Sequence, residues 1–486
     1  MWWRRSRVPL IQYAGDKLNF STDFTGYSAI QLGSMLQRKE LDAVALTEYF
    51  IDRITAYSDQ AVFTATCFER GRREAAQSAA RHAAGKSLGL LDGIPVAWKD
   101  LVDIEGTPTT AASEVYRHAV PASNDATVVR NLAAAGMVTL GKTNLSEFAY
   151  SALGLNPHFG TPRNPRSHDV ARAPGGSSSG SAVAVAAGLV PIAIGTDTGG
   201  SVRAPAAFNG VVGFKPSEGR HNKTGVFPLS VTLDTIGVFA NEAVDCRLLD
   251  QALCGLPAGL HSAGEQQPLL SSLSIVVPEN VVMDDLEAAV RSNFLDSLDR
   301  LASDGVKIVW RALPELDELQ ELVRLHGALA ASEAYVWHRA LLESERFNEI
   351  DPFVAKRIMG GKSMSDADVL ALQQGRRRLQ QSLWESLGDV LVAMPTVAHV
   401  APPLAPLEAS LDYFTQVNMK TIRNTNIGNL LNMCGLAMPN GVGEAGMPTS
   451  ILFNARGGRE DHLLRVGGAL GQCVQMPGRS YSGAGR

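Results

Sequence analysis

Apolar and polar positions along this chain fall into blocks whose period switches repeatedly between helical and extended. Val44 to Thr55 and Arg72 to His82 carry apolar residues at helical spacing and predict two helices. Asp92-Gly93-Ile94-Pro95-Val96-Ala97-Trp98 reads as a turn feeding a short buried strand, with Lys99-Asp100 at its end. Asp125 is the expected cap of a helix running to Ala135; Gly136 ends that helix, and Met137 to Leu140 form a strand. The polar stretch from Asn156 to Pro174, rich in Pro, Arg and Asn, predicts a loop. Farther on, Met283-Asp284-Asp285 opens a helix with Leu286, Val290, Phe294, Leu298 and Leu301 on one face. Gly305 stops it, and Val306 to Trp310 is again a strand.

Strands alternating with helices at this spacing imply an α/β fold around a mostly parallel or mixed sheet. Residues 311–385 read as mainly helical and are expected to cover one side of the site. There is no internal repeat and no long linker. The expected organisation is an irregular opening segment, 1–26, followed by one continuous domain, 27–480.

Composition narrows the class. A chain of 486 residues, 45% hydrophobic and 19% charged, has the profile of a soluble globular enzyme with a sizeable core. The net charge of −5 comes with no basic stripe, so no nucleic-acid partner is expected. The five cysteines, Cys67, Cys246, Cys254, Cys434 and Cys473, are scattered without a Cys-x-x-Cys. That pattern speaks against a disulfide framework or a zinc site and fits a reducing compartment. The basic start is followed by too short an apolar run for a secretory signal, and no stretch reaches the length of a membrane span. A cytoplasmic enzyme without a membrane partner is expected. Its oligomeric state is open, and a homodimer is compatible with the sequence.

Two motif matches fail on context. Gly136-Met137-Val138-Thr139-Leu140-Gly141-Lys142-Thr143 fits the phosphate-loop pattern letter for letter. That loop needs a strand before its first glycine, whereas here a helix precedes it and an apolar strand fills the middle. Gly176-Ser177-Ser178-Ser179-Gly180 fits the nucleophile-elbow pattern, with Ser178 central. An elbow needs a buried strand feeding the serine, but Ser167 to Pro174 is polar and ends in proline. The histidines available for such a triad, His399 and His462, stand in no distinctive context.

A third arrangement is more coherent. Gly175 to Ser181 and Gly195 to Ser201 are two glycine- and serine-rich turns joined by Ala182 to Ile194, which cannot face water. Pro191 to Ile194 is the expected strand, and Ser201 to Ala207 the expected start of a helix. A helix N-terminus offers unpaired N–H groups. Amides around Thr198, Gly199, Gly200 and Ser201 are therefore placed to stabilise an oxyanion formed when the Ser201 hydroxyl attacks a carbonyl. A serine needs a base. No histidine stands in either turn, but Lys99 sits at a strand end. A lysine buried away from carboxylates loses proton affinity and can act as a base near neutral pH, with Ser177 bridging Lys99 and Ser201. Taken singly, each of these residues is more often structural than catalytic; their joint pattern carries the reading.

These same segments resemble the amidase signature family. The likeness runs through Gly175 to Ala182, Gly195 to Ala206 and Gly210-Val211-Val212-Gly213-Phe214-Lys215-Pro216. It is supported by Gly93 to Asp100, Gly141 to Phe148, Leu233 to Gly237, Asn429 to Pro439 and Gly446-Met447-Pro448. In all it spans roughly residues 27 to 475. The resemblance implies a single α/β/α domain with a large, mixed, twisted central sheet. It implies a Ser–cisSer–Lys triad: Ser201 the acylated nucleophile, Ser177 the proton shuttle after a cis Gly176–Ser177 bond, Lys99 the initially neutral base. The family's oxyanion hole maps to the backbone of Thr198, Gly199 and Gly200. Ser178, Asp197 and Arg203 are expected to brace the loops rather than touch substrate. Ser179, where many relatives have glycine, is a departure of little expected effect. The family needs neither cofactor nor metal.

For substrate, the resemblance supports hydrolysis of a small carboxylic acid amide to the acid and ammonia. Tyr150 and Phe159, with Trp337, are candidates for the pocket wall, and no carboxylate clamp stands out. The alternatives are the glutaminase subunit of a tRNA-dependent amidotransferase, which would need partner subunits, and a ureido-acid hydrolase of the allophanate type. An inactive binding scaffold is disfavoured because Lys99, Ser177 and Ser201 are all present.

Overall fold

The computed structural model describes residues 23–257 and 270–474. Eleven strands among them form one mixed sheet: β1 (Phe63–Thr66), β2 (Pro95–Lys99), β3 (Val138–Thr143), β4 (Ile192–Asp197), β5 (Val212–Lys215), β6 (Thr235–Ala240), β7 (Ser274–Pro278), β8 (Lys307–Arg311), β9 (Leu391–Pro395), β10 (Cys434–Val442) and β11 (Pro448–Ala455). Their order across the sheet is β1-β3-β2-β4-β6-β5-β10-β11-β9-β7-β8. β2 runs parallel to both β3 and β4, and β7 parallel to both β8 and β9, while the strands between are antiparallel. The α/β expectation with a large mixed sheet is met.

Every residue of β2 through β6 is buried, so helices cover both faces there, as the near-continuous apolar runs required. One apolar core runs the length of the sheet, from Phe24 to Val474. A second cluster around Leu145, Phe148, Tyr150 and Ile358 lies under the helices Leu329–Leu342 and Pro352–Met359. These belong to the stretch 311–385, which also holds the helices Pro314–His326 and Asp366–Leu387.

Element boundaries shift where a side chain found a better partner. The first two expected helices occur as Ala43–Ala56 and Phe68–Ala83. Asp125 does not cap the helix Thr127–Ala134: its carboxylate takes the Arg70 guanidinium at 2.6 and 2.8 Å and the Glu105 N–H at 2.9 Å. The helix expected from Met283 begins only at Ala288, because Asp285 sits in the left-handed region (φ 43°) with its carboxylate 2.6 Å from Lys420 Nζ. The expected opening segment falls mostly on residues 1–22, outside the described residues, as do 475–480 at the far end of the expected domain. No helix among the described residues is long and apolar enough to cross a membrane.

Trp98 is the largest side chain sealed within the sheet layer, with its indole N–H donating to Thr139 Oγ1 at 3.3 Å. It directly precedes Lys99. Trp98→Ala is expected to cost about 3–5 kcal/mol, read as a lowered denaturation midpoint.

Candidate active site

Register brings the candidate residues together. β2 and β4 are neighbours with Trp98 opposite Ile194, so Lys99 reaches the end of β4, where Thr196 stands. Lys99 Nζ lies 2.7 Å from Ser177 Oγ and 2.8 Å from Thr196 Oγ1. The lysine is 0% exposed and touches no carboxylate among the described residues. Burial pushes its pKa down to about 7, against the more distant raising pull of Asp234 and Asp197. Of the residues contacting Lys99, Thr196 was missed by sequence reasoning; a hydroxyl beside Asp197 on a buried strand end was the available signal.

Ser177 follows a cis Gly176–Ser177 bond and opens the turn into the helix Ser179–Ala186. Its carbonyl accepts from Ser146 N at 3.1 Å and Ser179 N at 2.9 Å. Gly176 is packed so closely that a Cβ there would lie 2.6 Å from Gly154 N and 2.7 Å from Ser151 O, so only glycine fits. Ser178 has a supporting position: its hydroxyl donates to Thr196 O at 3.2 Å and accepts from Thr196 N at 3.3 Å. Its N–H donates to Ser201 O at 3.3 Å and so joins the two glycine- and serine-rich turns.

Ser201 does not start the helix. The helix is Arg203–Asn209, and Ser201 lies in the turn before it, 8% exposed. The residues on either side of it, Gly200 and Val202, both donate their N–H to the Asp197 carboxylate, at 2.9 and 3.0 Å. Arg203 Nε and Nη2 reach the same carboxylate at 3.1 and 2.9 Å, and Asn429 Nδ2 at 2.9 Å. Burial alone would raise the Asp197 carboxyl; the Arg203 guanidinium in contact holds it far below the usual range instead.

That arrangement corrects one expectation. The Gly200 N–H points at Asp197 and is not available to an oxyanion. Among the described residues no turn or loop hydrogen bond uses the N–H of Thr198, Gly199 or Ser201. A Cβ on Gly199 would meet only Asn426 Oδ1 at 3.4 Å, so its backbone is open to an approaching group. A Cβ on Gly200 would meet Thr425 Oγ1 at 2.1 Å, and its φ of 133° demands glycine on its own account.

The rejected motifs stay rejected. Lys142 is a buried residue of β3, ion-paired with Asp100 at 2.6 Å. His399 is hydrogen-bonded to Val400 O at 2.8 Å and Thr421 Oγ1 at 3.0 Å, with burial pushing its pKa down to about 4. Neither touches a candidate serine. Tyr150 packs beneath Arg357, whose guanidinium lies 5.1 Å from the ring centroid. Phe159 lies under Arg117 at 4.1 Å, and Trp337 is half exposed. A cleft of about 890 Å³ opens between loop 155–171, residues 351–353 and residues 403–414. None of Lys99, Ser177, Ser201, Tyr150 or Phe159 lines that cleft.

Known proteins resemble this chain along most of its length. The family profile for Amidase matches residues 45–464. The chain is 34% identical over 458 residues to 2-amino-5-chloromuconic acid deaminase of Comamonas testosteroni, covering 91% of this chain and 95% of that one. It is 34% identical over 492 residues to the A-type subunit of glutamyl-tRNA(Gln) amidotransferase from Ralstonia nicotianae, covering 91% and 97%. A solved amidase structure superposes with a TM-score of 0.80 at 30% identity, over 92% of this chain and all of the other. Fold and relatives together define an amide-hydrolysing enzyme. The chain belongs to the amidase signature family.

Asp197→Ala leaves Arg203 buried without its counter-charge and frees the backbone on both sides of Ser201. It is expected to cost about 3–5 kcal/mol in chemical denaturation and to abolish activity under conditions where the variant is still folded.

Proposed function

We propose that the chain hydrolyses a carboxylic acid amide to the acid and ammonia through an acyl-enzyme on Ser201. The observation that carries this is the buried Lys99 amine, 2.7 Å from Ser177 Oγ, with hydroxyls rather than a carboxylate as its contacts. With a pKa of about 7, a large fraction of Lys99 is neutral at physiological pH. The neutral amine takes the Ser177 proton, Ser177 takes the proton of Ser201, and Ser201 Oγ attacks the carbonyl carbon. The N–H groups of Thr198, Gly199 and Ser201 receive the developing oxyanion. The proton then returns through Ser177 to the leaving nitrogen, ammonia departs, and water releases the acid by the same route. No step calls for a cofactor or metal.

A second reading is supported by the 34% identity to the amidotransferase component: the chain would be the ammonia-releasing member of a larger assembly. The two separate cleanly. Ammonia release by the purified chain alone across acetamide, benzamide, malonamate, allophanate and glutamine is expected from at least one compound, and to vanish in Ser201→Ala. Silence of the isolated chain, relieved only by companion subunits, would favour the second reading.

The lysine makes two further predictions. kcat/KM should rise as pH passes about 7 and then level off, because the proton-free form grows above the pKa. Lys99→Ala should depress amide hydrolysis far more than hydrolysis of the matching ester, whose leaving group needs no proton. Equal losses would remove Lys99 and Ser177 from the proton relay.

A further inference from the structure

The turn that carries Ser201 is also held from outside the sheet. Thr198 Oγ1 donates to Asp234 Oδ1 at 2.5 Å. Asp234, 7% exposed, ends the loop 229–234, and its other oxygen accepts from Leu229 N at 2.9 Å and Ser230 N at 3.0 Å. The next residue, Thr235, opens β6 opposite Asp197 and donates its hydroxyl to Asp197 O at 3.0 Å. The end of this loop therefore touches the Asp197–Ser201 turn at two points.

The body of the loop is bound to the cover. Glu333 stands on the helix Leu329–Leu342 and gives both carboxylate oxygens to the loop. Oε1 takes the Thr232 hydroxyl, and Oε2 takes the Ser230 hydroxyl and, at 3.1 Å, the Thr232 N–H. Ser230, 0% exposed, serves both ends: its N–H donates to Asp234 and its hydroxyl to Glu333. Phe227, just before the loop, packs on the same helix, its ring centroid 6.1 Å from Trp337 and 5.9 Å from His338.

No cation pairs with Glu333 among the described residues, whereas Glu343 on the same helix is ion-paired with Arg339 and faces solvent. The three donors that converge on Glu333 come from Ser230 and Thr232, and charge-assisted bonds of this kind are costly to lose. We propose that Glu333 and Asp234 are positioning residues for the turn that carries Ser201: Glu333 clasps the loop 229–234 from the covering helix, and Asp234 passes that hold to Thr198. The backbone from Thr198 to Ser201 is then fixed to the cover as well as to Asp197. This rests on the amidase reading of Ser201 and adds to it two residues that act through others.

The test uses whichever amide of the panel above the native chain hydrolyses fastest, with the matching ethyl ester beside it. Glu333→Gln keeps the size of the side chain but turns one acceptor into a donor. Its kcat should fall roughly 10-fold with KM nearly unchanged, equally for amide and ester, since both need the oxyanion held. Asp234→Asn should in addition move the rise in kcat/KM to lower pH. It removes one of the two negative charges, Asp197 and Asp234, that favour the Lys99 ammonium, so the neutral base appears sooner. Glu333→Gln should leave that rise in place.

A readout independent of turnover is amide hydrogen–deuterium exchange. Glu333→Gln should speed exchange in 196–202 and 229–234 and leave the rest of the sheet as in the native protein; Glu343→Gln should change neither exchange nor kcat. Should Glu333→Gln fold poorly, Thr232→Val removes one of the three donors and should shift both readouts less, in the same direction. Native kcat with native exchange overturns the clasp and leaves the amidase reading standing. Exchange that rises evenly through the sheet overturns it too, being the mark of lost stability alone. Faster local exchange in a variant of a protein that hydrolyses no amide of the panel keeps the clasp and removes the amidase reading.

Discussion

The Asp197 carboxylate holds this site together. It stands sealed from solvent at the end of β4 and collects the amides on both sides of Ser201, two nitrogens of Arg203 and the side chain of Asn429. Those groups come from the turn that carries Ser201, the helix Arg203–Asn209 and the helix Leu411–Leu430, the last of them far along the chain from the other two. With the Arg203 N–H at 3.4 Å, a buried charge with six donors around it is a rigid object, since any member that moves away strands a polar group in a dry interior. The backbone flanking Ser201 is thereby fixed in place.

Lys99 depends on the same dryness for the opposite reason. Two lysines lie fully buried on adjacent strands, Lys99 on β2 and Lys142 on β3. Lys142 has the Asp100 carboxylate 2.6 Å away, whereas Lys99 has only the hydroxyls of Ser177 and Thr196 in contact. Of this pair, Lys99 is the one whose desolvation goes uncompensated, and its proton affinity falls into the range where a base is useful at neutral pH. Distance from carboxylates, more than burial as such, separates the two.

A short segment joins the helices that pack over the sheet to the candidate site. The 150–152 segment links them to the chemistry: its backbone holds Gly176 and Asn418, and the Tyr150 ring meets Arg357. Phe148 and Ala149, just before it, both adopt left-handed backbone angles (φ 53° and 61°), an uncommon conformation for residues with side chains. The segment thereby ties the covering helices to the turn that carries Ser177.

Much was legible in the sequence. The two glycine- and serine-rich turns, the buried run joining them and Lys99 at a strand end are local patterns, and the alternation of strands and helices implied the α/β layering. The sheet order was not legible, because strand neighbours such as β5 and β10 are chosen by packing between segments far apart in the chain. Local signals also misplaced details that depend on distant partners: Asp125 left its helix to pair with Arg70, and the Gly200 amide, expected to face an oxyanion, turned to Asp197. Sequence alone determined which side chains with chemistry the chain carries and which short segments present them. Tertiary structure alone decided which of them lost water, which kept a counter-charge and which were left with bonds to make, since desolvation and pairing are properties of an assembled interior.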